Sequence, residues 1–147
     1  MTLKERIQDD MKAALRAGER ERLATVRLIL AAIKQREVDE RISLDDAQVM
    51  VVLDKMVKQR RESIALFQAG GRADLVAKEN AELAVLQGYL PAPLDEAAIE
   101  ALIGAAIAQS GAQSVRDMGK VMAIVKTRAA GRADLGAIGA RIKARLS

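Results

Sequence analysis

Apolar residues recur along most of the chain at the three- and four-residue spacing that places them on one face of an α-helix. The first periodic segment opens with Thr2 and Glu5, which form a capping box, and it ends at Gly18. Similar segments cover about residues 19–38 and 43–69, and a fourth follows. With three more after residue 94, the pattern predicts an all-α protein with about four plus three helices.

The predicted helices begin at polar residues whose side chains can cap free backbone N–H groups. Ser43–Asp46 is a box-like start for the third helix, and Asp74 is the predicted N-cap of the fourth. Asp95 is the predicted N-cap of the fifth helix. The sixth is predicted to open within Ser114–Asp117.

The segment GYLPAPL, from Gly88 to Leu94, holds both prolines of the chain. Pro91 and Pro93 bias the residues before them toward extended backbone, so a helix cannot run smoothly through this segment. We therefore predict an N-terminal helical subdomain over residues 1–90, a proline-containing hinge over 91–94, and a basic C-terminal helical bundle over 95–147.

The word GRADL occurs twice, at Gly71–Leu75 and at Gly131–Leu135. In both copies we place the glycine just past a helix end and the aspartate, Asp74 or Asp134, at the N-cap of the next helix. The residues that follow, VAKENAEL and GAIGARIK, share no wider similarity. We interpret GRADL as a connector used twice, and not as the trace of a duplicated domain.

The residue types present narrow the possible chemistry. The chain has no cysteine, which excludes disulfides and thiolate nucleophiles, and no histidine, the commonest general base and metal ligand near neutral pH. Acidic residues adjacent in sequence, such as Asp9 and Asp10, point about 100° apart on a helix and do not by themselves form an acid–base pair. We predict no catalytic residue, no metal site and no cofactor.

The N-terminal sequence MTLKERIQDD carries charges from Lys4 onward and lacks the apolar core of a signal peptide. The apolar runs of the chain are far shorter than the roughly twenty residues that cross a bilayer. We therefore expect a cytoplasmic protein without a membrane partner.

Positive charge is concentrated near the end of the chain. The net charge is +4, and residues 1–94 are nearly balanced, with 16 basic and 15 acidic residues. From Arg116 onward there are eight basic residues against Asp117 and Asp134 alone, a net charge of +6 over the last 32 residues. Such an end indicates either an anionic partner or a solvated polar helix face.

If the partner is RNA, we expect phosphate contacts to dominate, because Tyr89 is almost the only aromatic side chain available for stacking on bases. A glycine inside a helix allows another chain to approach closely. The candidate RNA-binding residues are Gly119, Lys120, Lys126, Arg128, Arg132, Arg141, Lys143 and Arg145.

Three stretches together resemble one family. They are GGRADLVAKENAELAVLQGYLP at Gly70–Pro91, MGKVMAIVK at Met118–Lys126, and AGRADLGAIGARIK at Ala130–Lys143. Their order and spacing resemble the YqeY family, which is itself similar to the C-terminal tail domain of the B subunit of the tRNA-dependent amidotransferase. The resemblance covers essentially the whole chain.

The resemblance implies an all-α fold in two subdomains and a role beside tRNA, since the amidotransferase tail helps to hold the tRNA body. The family carries the label of a carbon–nitrogen ligase with glutamine as amide donor. On this basis we expect a non-catalytic tRNA-binding or amidotransferase-accessory module, with tRNA or the aminoacyl-tRNA amidation machinery as partners. At Leu135-Gly136-Ala137 the chain departs from the Gly-Lys that often follows GRAD in the family.

The alternative is a helical protein–protein interaction module with no RNA role. Such a module would bind its partner at high salt and carry no nuclease-sensitive material. The sequence does not determine the oligomeric state or the identity of a partner.

Overall fold

The computed structural model describes residues 1–147 as seven α-helices with no strand, which confirms the all-α prediction. The helices are α1 (Leu3–Ala17), α2 (Arg20–Glu40), α3 (Asp46–Ala69), α4 (Ala73–Gln87), α5 (Glu96–Ser110), α6 (Met118–Ala129) and α7 (Leu135–Leu146). The chain divides into two compact units, Met1–Leu90 and Pro91–Ser147, called unit 1 and unit 2 below.

Unit 1 packs α1 to α4 around one apolar core. α3 and α4 form a helical hairpin, and α2 contacts both of them. Each of the four helices contributes a fully buried aliphatic side chain to this core: Ile7, Ile29, Leu53 and Leu86. Burying one such side chain stabilises the folded state by about 1.5–3 kcal/mol relative to leaving it exposed. The periodic apolar positions of the sequence are therefore what holds the four helices together.

Unit 2 has a second core, to which α5, α6 and α7 all contribute. Ile103, Val121, Val125 and Ile142 are fully buried there. Asp95 caps α5 as predicted, because its side chain accepts a hydrogen bond from Ala98 N at 2.7 Å.

The capping box at the start of α1 is confirmed. Glu5 N donates to Thr2 Oγ1 at 3.1 Å, and Thr2 N donates to Glu5 Oε2 at 3.1 Å. Two of the backbone donors that the helix start leaves free are thereby satisfied within the same turn.

Three predicted helix starts are wrong in detail. α3 begins at Asp46, inside the predicted Ser43–Asp46 segment, but its capping box joins Asp45 to Gln48 and does not involve Ser43. Arg72, and not Asp74, is the N-cap of α4. Ser114 makes no capping bond; it precedes a 3-10 turn, and α6 begins only at Met118. In each case a neighbouring polar residue, or a tighter turn, supplies the start in place of the predicted cap.

Candidate functional site

Arg132, a central member of the predicted basic surface, is tied to the proline-containing segment. Its Nε donates to the carbonyl oxygen of Ala92 at 2.9 Å, and its own carbonyl oxygen accepts from Leu94 N at 2.8 Å. These two bonds bring together residues about 40 positions apart. Arg132 therefore holds the turn before α7 against the start of unit 2.

Two arginines of α7 are used in the same way. Arg141 forms ion pairs with Glu96, at 2.7 Å, and with Glu100, and Arg145 lies 3.6 Å from Glu100. The hydrogen bond from Arg141 to Glu100, followed by the bond to Glu96, raises the pKa of the Arg141 guanidinium. Both arginines face α5, so their charge is partly balanced inside the unit.

Arg128 also has a partner on α5, because its guanidinium donates to Gln109 Oε1 at 3.2 Å. Lys120, Lys126 and Lys143 are exposed, and their ammonium groups form no hydrogen bond or short ion pair. A Cβ added at Gly119 would meet no atom within 4 Å, so packing does not require glycine there. The four arginines of the predicted surface therefore contact groups within unit 2, whereas its three lysines are exposed to solvent.

Tyr89 is the most strongly shifted titratable group. Its hydroxyl donates to Asp10 Oδ2 at 2.6 Å. Burial, and then this bond, raises the pKa of Tyr89 to about 12. The Arg6 guanidinium lies 5.1 Å from the centre of the tyrosine ring and donates to Gly88 O at 3.4 Å. These contacts fix the end of α4 to α1, which is a structural role.

Glu37 joins three parts of unit 1. Both of its carboxylate oxygens accept from Lys4 Nζ at 2.9 Å, and Oε2 also accepts from Leu44 N at 2.9 Å. The bond from Lys4, and then the bond from Leu44, lowers the pKa of Glu37.

In unit 2, the pKa of Asp117 is lowered by the bond from Gln113 N, at 3.0 Å, just before α6. Each of these shifts is accounted for by a contact that orders the fold, and no three acidic side chains converge as a metal site.

A groove of about 580 Å³ lies in unit 1 between α2 and α4. The sequence analysis did not predict this groove, because large apolar residues mark the buried face of a helix and do not mark a groove lined by alanines. A signal was nevertheless present: Ala77 and Ala81 are four residues apart, so they lie on one face of α4 without forming part of the apolar core. Its walls include Arg22, Thr25, Ala77, Lys78, Ala81 and Val85.

None of the seven helices combines the length and the apolar character that crossing a membrane requires.

Three known proteins similar to this chain share the name "Altered inheritance of mitochondria protein 41, mitochondrial". The one from Eremothecium gossypii is 40% identical over 87 residues, which are 58% of this chain and 48% of the relative. The one from Pyrenophora tritici-repentis is 35% identical over 130 residues, 84% of this chain and 71% of the relative. The one from Kluyveromyces lactis is 37% identical over 84 residues, 56% of this chain and 45% of the relative. The chain thus matches about half the length of two of these relatives.

These relatives overturn two expectations. The cytoplasmic location is wrong, because the relatives are named as mitochondrial proteins. The tRNA-binding or amidotransferase-accessory role is wrong as well, because the relatives are named for the inheritance of mitochondria and nothing in the comparisons supports tRNA, amidation or carbon–nitrogen ligase chemistry. The comparisons do not clearly support the alternative of a protein–protein interaction module either.

The family prediction, in contrast, is confirmed. The model of the family described as "Yqey-like protein" matches residues 4–146, and therefore both units. The similarity to the amidotransferase tail stays a prediction. Across nearly its whole length, this chain belongs to the YqeY-like family.

Proposed function

We propose that this chain performs the same molecular task as the matching part of its mitochondrial relatives, and that the inheritance of mitochondria depends on that task. A mitochondrial setting is part of the proposal. The observation that carries it is the match to the Pyrenophora tritici-repentis protein, which covers 84% of this chain and 71% of the relative.

The extent of that match supports a shared task and not only a shared motif. Unit 1 comprises 90 residues, so an alignment of 84% of the chain must extend into unit 2. The shared part then includes residues of both apolar cores. The pKa shifts of Tyr89 and Glu37 arise from contacts that stabilise the fold. They are therefore consistent with a function that depends on the folded units and not on a catalytic group.

The experiment is complementation in Saccharomyces cerevisiae. The relative there is 33% identical to this chain over 85 residues. A strain lacking that relative would express this chain behind a mitochondrial leader, and the fraction of daughter cells that receive mitochondria would be counted. We expect the fraction to return toward that of the parent strain.

One control tests whether rescue needs the folded chain. A leader-bearing Ile103→Asp variant, which places a carboxylate in the core of unit 2, should restore nothing. If the unmodified chain is imported, folded and abundant but leaves inheritance at the level of the deletion strain, the proposal is wrong.

A further inference from the structure

Half of the residues that line the α2–α4 groove are small or apolar, and the other half are charged. Ala24, Ala77 and Ala81 line it and are exposed, and Val85 is half-buried. The Thr25 hydroxyl donates to Glu21 O at 3.2 Å, so its one hydrogen-bond donor is already used within α2. Such walls allow a visiting backbone to approach closely and offer it apolar contact.

The apolar surface continues along α2 beyond the groove. Leu28 follows Ala24 by four residues, which places both on the same face of the helix. Its side chain remains 45% exposed. A large aliphatic side chain in this position extends the apolar surface by one helical turn.

Two carboxylates that line the groove are already neutralised. Asp74 is paired with Arg72 at 3.1 Å, and Glu82 is paired with Arg60 at 3.0 Å. Neither Arg72 nor Arg60 lines the groove. The negative charge of these two walls is therefore balanced from outside it.

The two basic side chains that line the groove form no short ion pair within the fold. Lys78, on α4, takes part in no ion pair. Arg22, on α2, lies 4.0 Å from Asp10, whose carboxylate already accepts the Tyr89 hydroxyl at 2.6 Å. Each wall can thus receive an acidic group without breaking a short ion pair. Glu21, at the start of α2, is the one lining carboxylate without a cation.

We infer that this groove binds an amphipathic helix of a protein partner whose apolar face is bordered by acidic residues. The lining of α4 extends from Asp74 to Val85, about 17 Å or three helical turns. That length suits the helix-in-groove mode of recognition, in which apolar side chains recur every three or four residues. The acidic borders would meet Arg22 and Lys78. The inference concerns unit 1 alone and does not rest on the proposed function.

The test uses a synthetic helical peptide with Leu and Ala on one face and Glu along both borders of that face. A matched peptide carries Lys in place of each Glu. Each is titrated into the full chain, and amide chemical shifts are followed by NMR. We expect the Glu peptide to bind, with the largest shifts at Ala24, Ala77 and Ala81, and the Lys peptide to bind at least about fivefold more weakly.

Two pairs of variants test the site. Arg22→Gln combined with Lys78→Gln should weaken the Glu peptide about five- to tenfold, the effect of losing two partly exposed ion pairs. Lys126→Gln combined with Lys143→Gln removes the same charge from unit 2 and should leave affinity unchanged. Ala81→Trp should block the groove, whereas Ala65→Trp, at an exposed position of α3, should not. Thermal melts identify any variant that has lost its fold.

Several results would overturn the inference. Equal binding of the two peptides, or equal weakening by the two charge-neutralised pairs, would mean that general electrostatic attraction is being measured. Undiminished binding to a folded Ala81→Trp variant would mean that the peptide binds outside the groove. Absence of binding at millimolar peptide would mean that the groove is not a binding site for such a helix. Concentration-dependent self-association that Ala81→Trp abolishes would make a second copy of the chain the occupant.

Discussion

The two GRADL segments have the same five residues and the same glycine turn, but they start their helices at different points. Gly71 and Gly131 have φ values of 69° and 73°, both in the left-handed region. Yet α4 begins at Ala73 and α7 at Leu135, two positions further into the word. The expected common arrangement, with aspartate as the N-cap of both helices, is therefore right for Asp134 and wrong for Asp74.

The difference follows from what the arginine carbonyl does. The carbonyl oxygen of Arg72 accepts from Val76 N at 3.0 Å, which is the first hydrogen bond of α4. The carbonyl oxygen of Arg132 instead accepts from Leu94 N at 2.8 Å, and Gly136 N, the donor four residues on, donates to Asp134 Oδ1 at 2.9 Å. The first acceptor of α7 is then Asp134, whose carbonyl oxygen binds Ile138 N at 3.1 Å. In the second copy, a long-range bond and a side-chain cap thus occupy the backbone groups that start the helix in the first copy.

The largest expected effect tests what the two copies share. Gly71→Ala and Gly131→Ala each place a Cβ in the left-handed region, which costs about 1–2 kcal/mol. At Gly71 that Cβ would meet no atom within 4 Å, so the cost there comes from the backbone alone. We expect amide hydrogen exchange to accelerate in unit 1 for the first variant and in unit 2 for the second.

Gly104→Ala is the matched control. Gly104 lies inside α5, where an added Cβ meets open space, and alanine there should stabilise unit 2 by about 1 kcal/mol. If Gly71→Ala were as harmless as Gly104→Ala, the left-handed turn at Gly71 would be contradicted.

The next effect separates the copies. Asp134 accepts from Gly136 N at 2.9 Å and from Ala137 N at 3.3 Å, so Asp134→Ala should lower the free energy of unfolding of unit 2 by about 1 kcal/mol. Asp74 is not the N-cap of α4 and lies in its exposed first turn, so Asp74→Ala should lower the free energy of unfolding of unit 1 by less than Asp134→Ala lowers that of unit 2. Urea unfolding, followed by NMR signals of each unit, measures both. Equal losses would mean that the two aspartates have the same role.

The arginines should differ less. Arg132→Ala removes the bond to Ala92 O and should cost unit 2 about 0.5–1 kcal/mol, since the bond is exposed to solvent. Arg72→Ala removes only an exposed pair with Asp74, which contributes little. The same unfolding experiment applies, and Lys143→Ala, which removes a cation without a partner, serves as the control in unit 2. A loss in Arg132→Ala no greater than in Lys143→Ala would contradict the structural role of Arg132.

The sequence was sufficient where structure is local. Apolar periodicity predicted seven helices, and the capping residues Thr2, Asp95 and Asp134 were found because each acts within three residues of itself. It was insufficient where a distant residue intervenes. The excess of positive charge after Arg116 suggested one binding surface. In the structure, however, Arg141 and Arg145 form ion pairs with Glu96 and Glu100, which lie more than 40 residues earlier in the chain. Counting charges along a sequence cannot show such pairings.

The smallest effect concerns pH and only the first copy. The hydrogen bond from Arg72 is the main cause that lowers the pKa of Asp74 below 3.8. Because the pKa is lower in the folded state, the associated stability is present above the unfolded pKa of about 3.9 and is lost as the pH falls through the folded value. A carboxyl NMR titration should therefore give a midpoint below 3.8 for Asp74. In Arg72→Ala the midpoint should rise toward the ordinary value, and an unchanged midpoint would show that the Arg72 side chain does not set the charge of Asp74 in solution.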